Sequence, residues 1–218
     1  MRNLLIILCS LLVLSSCAQG QNKPKDQKSA PLKTAASHEG LAVATFASGC
    51  FWCTEEAAEQ LKGVEDVVSG YTGGTTANPT YEEVSSGTTG HAEAVQLYYD
   101  PQVISYQTLL KAFFAAHDPT TLNRQGADVG TQYRSAIFYR TPQEKAQIEA
   151  YIQQLNASRA FQAPIVTQVV PFKEFFPAED YHQDFYRHNP DNPYMKAVSE
   201  PKLEKFKKEM KGTLKNNE

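Results

Sequence analysis

Apolar positions change their spacing several times along this chain, and each change marks an element. Residues 4–14 form a nearly unbroken apolar run behind Arg2, too short to cross a bilayer as a helix in the mature protein and suited to a signal peptide. Residues 18–38 are rich in Gln, Lys, Ser, Ala and Pro and have no apolar period, the pattern of a flexible tether. Residues 41–47 are β-prone up to Ser48-Gly49. Residues 50–62 then carry Phe51, Ala57, Ala58 and Leu61 at helical spacing, with Gly63 as the stop. Residues 64–71 are a second strand, followed by a loop rich in Thr, Gly, Asn and Pro over 72–80. Residues 91–99 alternate well, placing Glu93, Val95, Leu97 and Tyr99 on one strand face.

Downstream, residues 105–117 return to helical spacing, with Leu109, Leu110, Phe113 and Phe114 on one side and Asp118-Pro119 ending the run. Residues 134–140 are a strand. Thr141-Pro142-Gln143-Glu144 reads as a capping box with Pro at the first helical position, opening a helix to about Asn156, and 166–170 is a further strand candidate. Leu203, Phe206, Met210 and Leu214 recur at helical spacing among lysines, as in an amphipathic helix packed on the domain or a frayed tail. The order β-α-β-β-α-β followed by a helix predicts an α/β two-layer sandwich. Its core is a ferredoxin-like split βαβ unit with an open mixed sheet and C-terminal extensions. The chain divides into a signal segment (1–16), a tether (17–38), a folded domain (39–200) and a lysine-rich C-terminal helix or tail (201–218).

Charge and cysteine content narrow the chemistry. A formal net charge of -3 gives no sign of a nucleic-acid partner, which would call for a clearly basic domain. Leu14-Ser15-Ser16-Cys17 resembles the lipobox of bacterial lipoproteins, which implies cleavage before Cys17, lipid on that cysteine, and a membrane-anchored life in the cell envelope. Of the four cysteines, Cys9 lies in the signal segment and Cys17 would be acylated if the lipobox resemblance holds, the alternative being an ordinary secreted protein with a cysteine near its cleavage site, so the folded domain keeps the pair Cys50 and Cys53.

A strand ending in Gly49 delivers Cys50 to the first turn of a helix. Free backbone N–H groups and the helix dipole there are expected to lower its pKa. Cys53 follows one turn on, within reach of an oxidised Cys50 sulfur. A structural disulfide is a poor account of so short a loop. Zinc lacks a second ligand pair among the five histidines, so no metal is expected. Glu93, on an otherwise apolar strand face, is a candidate for a carboxyl whose pKa burial raises; the bland alternative is a solvated strand-end carboxylate.

Ser48-Gly49-Cys50-Phe51-Trp52 resembles the G-C-F-W signature of peptide methionine sulfoxide reductase A. So do Gly70–Gly74, Asn78–Tyr81, Gly90–Val95 and Asp128–Ser135, in the family's order. The resemblance implies a set of roles. Cys50 attacks the sulfoxide sulfur, Phe51 and Trp52 line the pocket for the substrate methyl, and Glu93 protonates the sulfoxide oxygen. Tyr81 and Tyr133 hydrogen-bond that oxygen, Asp128 helps organise the site, and the S epimer is the substrate. Oxidised proteins or peptides are the implied partners, and a thioredoxin or thioredoxin-like protein supplies the electrons with no other cofactor. The chain is expected to act as a monomer. His91 is assigned a structural place beside the site; the stretch from Tyr181-His182-Gln183-Asp184 onward also resembles the family and is assigned only a structural role.

The chain also departs from the family. Many relatives place a resolving cysteine at the position of Ser85 or in the tail around Met195, and neither is present; Cys53 stands where many have glycine. The consistent expectation is a Cys50–Cys53 disulfide. The competing reading is a thioredoxin-like thiol-disulfide oxidoreductase of the envelope, which leaves the segments around Glu93 and Asp128 unexplained.

Overall fold

The computed structural model describes residues 38–215; the signal segment, Cys17 and the tether up to residue 37 lie outside the described residues. The chain runs β1 (Ala42–Ser48), α1 (Phe51–Glu59), β2 (Val64–Thr72), α2 (Tyr81–Ser85), β3 (Ala92–Tyr99) and α3 (Tyr106–Ala116). A small hairpin of β4 (Arg124–Gln125) and β5 (Asp128–Val129) follows, then β6 (Ser135–Tyr139), α4 (Pro142–Ala157), β7 (Gln168–Pro171) and β8 (Phe175–Pro177). The last elements are α5 (Phe185–His188), a π-helical turn at Met195–Ser199, and α6 (Glu200–Glu209).

The sheet order is β7-β6-β1-β3-β2-β8. Strands β6, β1, β3 and β2 are mutually antiparallel neighbours, which is the ferredoxin-like arrangement the element order predicts. The parallel strand β7 and the antiparallel strand β8 extend it at the two edges, so the sheet is mixed.

Alternation along the strands divides the core. Phe46, Val95, Leu97 and Ile137 face the helices and join Leu109, Leu110, Phe113 and Phe206 in the main cluster. The other face carries Ala47, Ala92, Ala94, Ala136 and Phe138 beneath Val170, Phe172 and Phe175. Glu93 takes its place in the first series, so strand geometry turns a carboxyl toward the helix layer. That single register choice makes the site possible.

Several local expectations are corrected. Helix α1 is shorter than 50–62: it ends at Glu59, and Gly63 takes φ 90° inside the turn into β2. At Thr141 the box is half formed. Thr141 accepts from Glu144 N, but the Glu144 carboxylate accepts from Arg140 N at 2.6 Å, one residue too early. The complete box lies at Thr80, where Thr80 and Glu83 satisfy each other's backbone N–H groups and start α2, a helix the sequence pattern did not reveal. The C-terminal segment is packed, with Leu203, Phe206 and Met210 in the core and Leu214 bridged to Leu61.

Candidate active site

Gly49 makes the turn from β1 into α1. Its φ of 97° favours glycine, and a Cβ there would sit 2.6 Å from the Cγ of Gln125. Gln125 is itself held across the hairpin base by two bonds to Asp118, accepting from its N–H and donating to its carbonyl. The missing side chain therefore lets the hairpin that carries Asp128 close over the start of α1. Arg134 fixes the next turn by donating to Thr131 O at 2.9 Å and Gly90 O at 3.0 Å, which places Tyr133 beside the entry to β3. His91 does the same for the glycine loop: Nδ1 accepts from Gly74 N and Nε2 donates to Thr76 O. Its place is structural.

These constraints converge on a cleft of about 230 Å³ lined by Cys50, Phe51, Trp52, Tyr81, Glu93, Asp128, Tyr133 and Tyr194. All seven cleft positions singled out in the sequence are there. Glu93 is buried, and its Oε2 accepts from the first amide of α1, Phe51 N, at 3.0 Å. Burial pushes its pKa up to about 8, with Asp128 and Cys53 adding to the effect, against the bond from Phe51. Glu93 therefore carries a proton at neutral pH.

The cysteines are both free thiols and behave differently from expectation. Cys50 caps α1, yet its side chain makes no capping hydrogen bond, and it is buried. Burial, Cys53 and Glu93 push its pKa up rather than down. Desolvation and the nearby carboxyl outweigh the helix terminus, part of which Glu93 already occupies. Cys53 takes the opposite course. Its pKa is brought down to about 7, chiefly through its hydrogen bond with Cys50, aided by Ser199 and Lys202 and opposed by burial and Asp128. The two shifts run in opposite directions, up for Cys50 and down for Cys53.

Four contributors were given no role at the cleft by the sequence. Tyr194 lines the cleft and donates to Asp128 Oδ2 at 2.6 Å. His182 Nδ1 accepts from Trp52 Nε1 at 3.0 Å, while Phe185 stacks on the indole at a centroid distance of 3.9 Å, so the Trp52 ring is clamped from edge and face. Burial lowers the His182 pKa to about 4, which keeps it the neutral acceptor that bond requires. Glu179 accepts from Tyr81 N and from Tyr71 OH, each at 2.9 Å, and anchors the start of α2. All lie far from the Cys50 segment in sequence; His182 falls in the family-like Tyr181–Asp184 stretch, given only a structural role there, and no local motif marks the others.

Residues 42–214 match the family model described as peptide methionine sulfoxide reductase. The chain belongs to the peptide methionine sulfoxide reductase family. Among its relatives is the peptide methionine sulfoxide reductase MsrA of Deinococcus radiodurans, 54% identical over 164 residues, covering 75% of this chain and 80% of the relative. The protein of the same description from Chromobacterium violaceum is 53% identical over 173 residues, 79% of this chain and 98% of its own length. Among solved structures, methionine sulfoxide reductase A of Corynebacterium diphtheriae aligns with a TM-score of 0.65 at 36% identity, over 77% of this chain and 84% of that one. Mxr1 from Saccharomyces cerevisiae in reduced form aligns at 0.66 and 33% identity, over 77% and 92%. The chain is a methionine sulfoxide reductase and so an oxidoreductase. Among the described residues no group of three or more His, Cys, Asp or Glu side chains has a metal-holding arrangement.

Proposed function

We propose that this reductase acts on the S epimer of peptide-bound methionine sulfoxide, with Cys50 as nucleophile, Glu93 as acid and Cys53 as resolving thiol. The observation that carries the reading is one cleft holding a buried thiol and a buried, protonated carboxyl, walled by Phe51 and Trp52. A sulfoxide oxygen leaves sulfur only once it is protonated, and a carboxyl at about 8 delivers that proton near neutrality. The aromatic walls accept the apolar methyl and thioether, and Tyr81 and Tyr133 offer hydroxyls to the oxygen.

In the first step Cys50 sulfur bonds to the sulfoxide oxygen after attack at sulfur. The S=O bond of the substrate is lost, methionine leaves, and Cys50 becomes a sulfenic acid. The thiol proton ends on the new S–OH, with Glu93 supplying and recovering a proton. In the second step Cys53 displaces water from that sulfur, forming the Cys50–Cys53 disulfide. A thioredoxin-like dithiol then restores both thiols. Lipid on Cys17 holds the enzyme in the cell envelope, where it repairs oxidised proteins as a monomer.

Mass spectrometry of a single turnover tests the assignment. With a sulfoxide peptide and no reductant, Cys50→Ser forms no methionine; Cys53→Ser forms one equivalent and stalls. Sustained thioredoxin-dependent turnover by Cys53→Ser would remove the resolving role, and any turnover by Cys50→Ser would remove the mechanism.

A further inference from the structure

The C-terminal segment presents one buried stripe to the domain: Met195, Ser199, Leu203, Phe206 and Met210 are each 6% exposed or less. Four members are apolar and pack as the helical period requires. Ser199 is the exception. A hydroxyl in an apolar stripe is retained only where it finds a partner, because a buried, unpaired hydroxyl is costly. Its partner is the Cys53 sulfur, 2.9 Å from Ser199 Oγ and 146 positions away in the chain. The π-helical turn Met195–Ser199 leads into α6 at this residue, a local irregularity that sets the hydroxyl over the third residue of α1.

We propose that Ser199 is a positioning residue for recycling, donating to Cys53 so that its thiolate stands ready to close the disulfide. The proposal rests on the reading of Cys53 as the resolving thiol. A thiolate only accepts hydrogen bonds, so Ser199 must be the donor when Cys53 is ionised. The other sulfur contact of Cys53 is Cys50, whose S–H is lost in the first chemical step and whose sulfenic hydroxyl is the group that departs in the second. Ser199 is the contact that survives into the step where it is needed. Lys202, one turn on, adds positive charge and the Asp128 carboxylate opposes ionisation; Glu93, Tyr194 and Tyr186 are the other titratable groups facing this sulfur, and, beyond the effect of burial, each is itself pushed up by charge on it. In that step the Cys50 S–O bond breaks, the S–S bond forms, and hydroxide departs with a proton as water. The two electrons given up by the dithiol reside in the released methionine.

The test is Ser199→Ala, which deletes one oxygen. Full-length enzyme is mixed with one equivalent of sulfoxide peptide without reductant, quenched by an alkylating agent, and scored by mass for sulfenic acid and disulfide from pH 5 to 9. Losing a hydrogen bond to a charged sulfur raises the thiol midpoint by about one pH unit. A more basic thiolate is also a better nucleophile, recovering roughly half of the logarithmic loss. Closure is therefore about threefold slower than wild type well below pH 7 and about threefold faster well above pH 8, so the two pH curves cross. Alkylation of Cys53 in a Cys50→Ala background shows the same shift in midpoint. Curves that superimpose, or that run parallel without crossing, overturn the role of Ser199. If the wild-type enzyme cycles without forming the Cys50–Cys53 disulfide, the resolving assignment fails instead.

Discussion

Replacing Glu93 with glutamine should move stability and activity in opposite directions at alkaline pH. In the fold this carboxyl is 2% exposed and titrates at about 8, against an ordinary value of 4.5. Between those two values the folded chain holds a proton that the unfolded chain has released. By linkage, stability then falls as pH rises from 4.5 to about 8 and levels off above. The interval corresponds to roughly 5 kcal/mol, an upper figure because local opening lets water reach the charged carboxylate. Glutamine keeps the shape and the oxygen that accepts from Phe51 N, but it neither ionises nor protonates a substrate.

Urea unfolding of wild type and Glu93→Gln at pH 4.5 and pH 9 reads this directly. The variant should gain roughly 3–5 kcal/mol on the wild type between the two pH values. Glu55 and Glu59, raised by burial to about 8 and about 7, give both proteins a slope of the same sign, so only the difference between them reports Glu93. Methionine release in a single turnover should meanwhile drop by about 100- to 10,000-fold, the usual range for removing a general acid. In the wild type that step should weaken as pH passes 8 and the acid proton is lost. Stability difference unchanged between the two pH values would show that Glu93 is ionised in the folded protein. The acid assignment would then be wrong.

Other substitutions probe the supports of the cleft. Gly49→Ala puts a Cβ against Gln125 at a φ of 97°, so it should lower stability by about 1–3 kcal/mol and reduce turnover, read as a fall in Tm with weaker methionine release. His182→Ala frees the Trp52 ring edge, and KM for a sulfoxide peptide should rise about three- to tenfold, more than kcat falls, in a steady-state assay. Phe206→Ala empties a site 1% exposed between α6 and the sheet-facing helices, and should cost about 3–5 kcal/mol by urea midpoint at unchanged slope.

The parts of this molecule that a sequence exposes are those whose physics is local. Alternation in β3 marked both the buried face and the carboxyl placed on it, and the helical spacing of Leu109, Leu110, Phe113 and Phe114 located α3 to within one residue at either end. Capping was harder to read. Thr141 and Thr80 carry the same residue types three apart, but which glutamate turns back depends on the free N–H nearest it, and at Thr141 that group belongs to Arg140. The expected fall in the Cys50 pKa failed for a related reason: a helix terminus is visible in sequence, whereas the depth at which it is buried and the carboxyl already bound to it are not.

The same distinction explains why the contact between Cys53 and the far end of the chain has no mark in the sequence. Spacing alone places Cys53 a turn from Cys50 and makes a disulfide geometrically available. It says nothing about which sulfur carries charge. After the bond with Cys50 itself, the groups that favour charge on Cys53 come from far along the chain, Ser199 at 2.9 Å and Lys202 beyond it. The apolar stripe of the C-terminal segment explains why the helix docks, and docking brings the one polar member of the stripe to the sulfur. In a chain without cysteine at Ser85 or after residue 53, the tail brings a hydroxyl to Cys53 rather than a thiol of its own, and the pH curves of Ser199→Ala decide whether that hydroxyl serves the thiol chemistry.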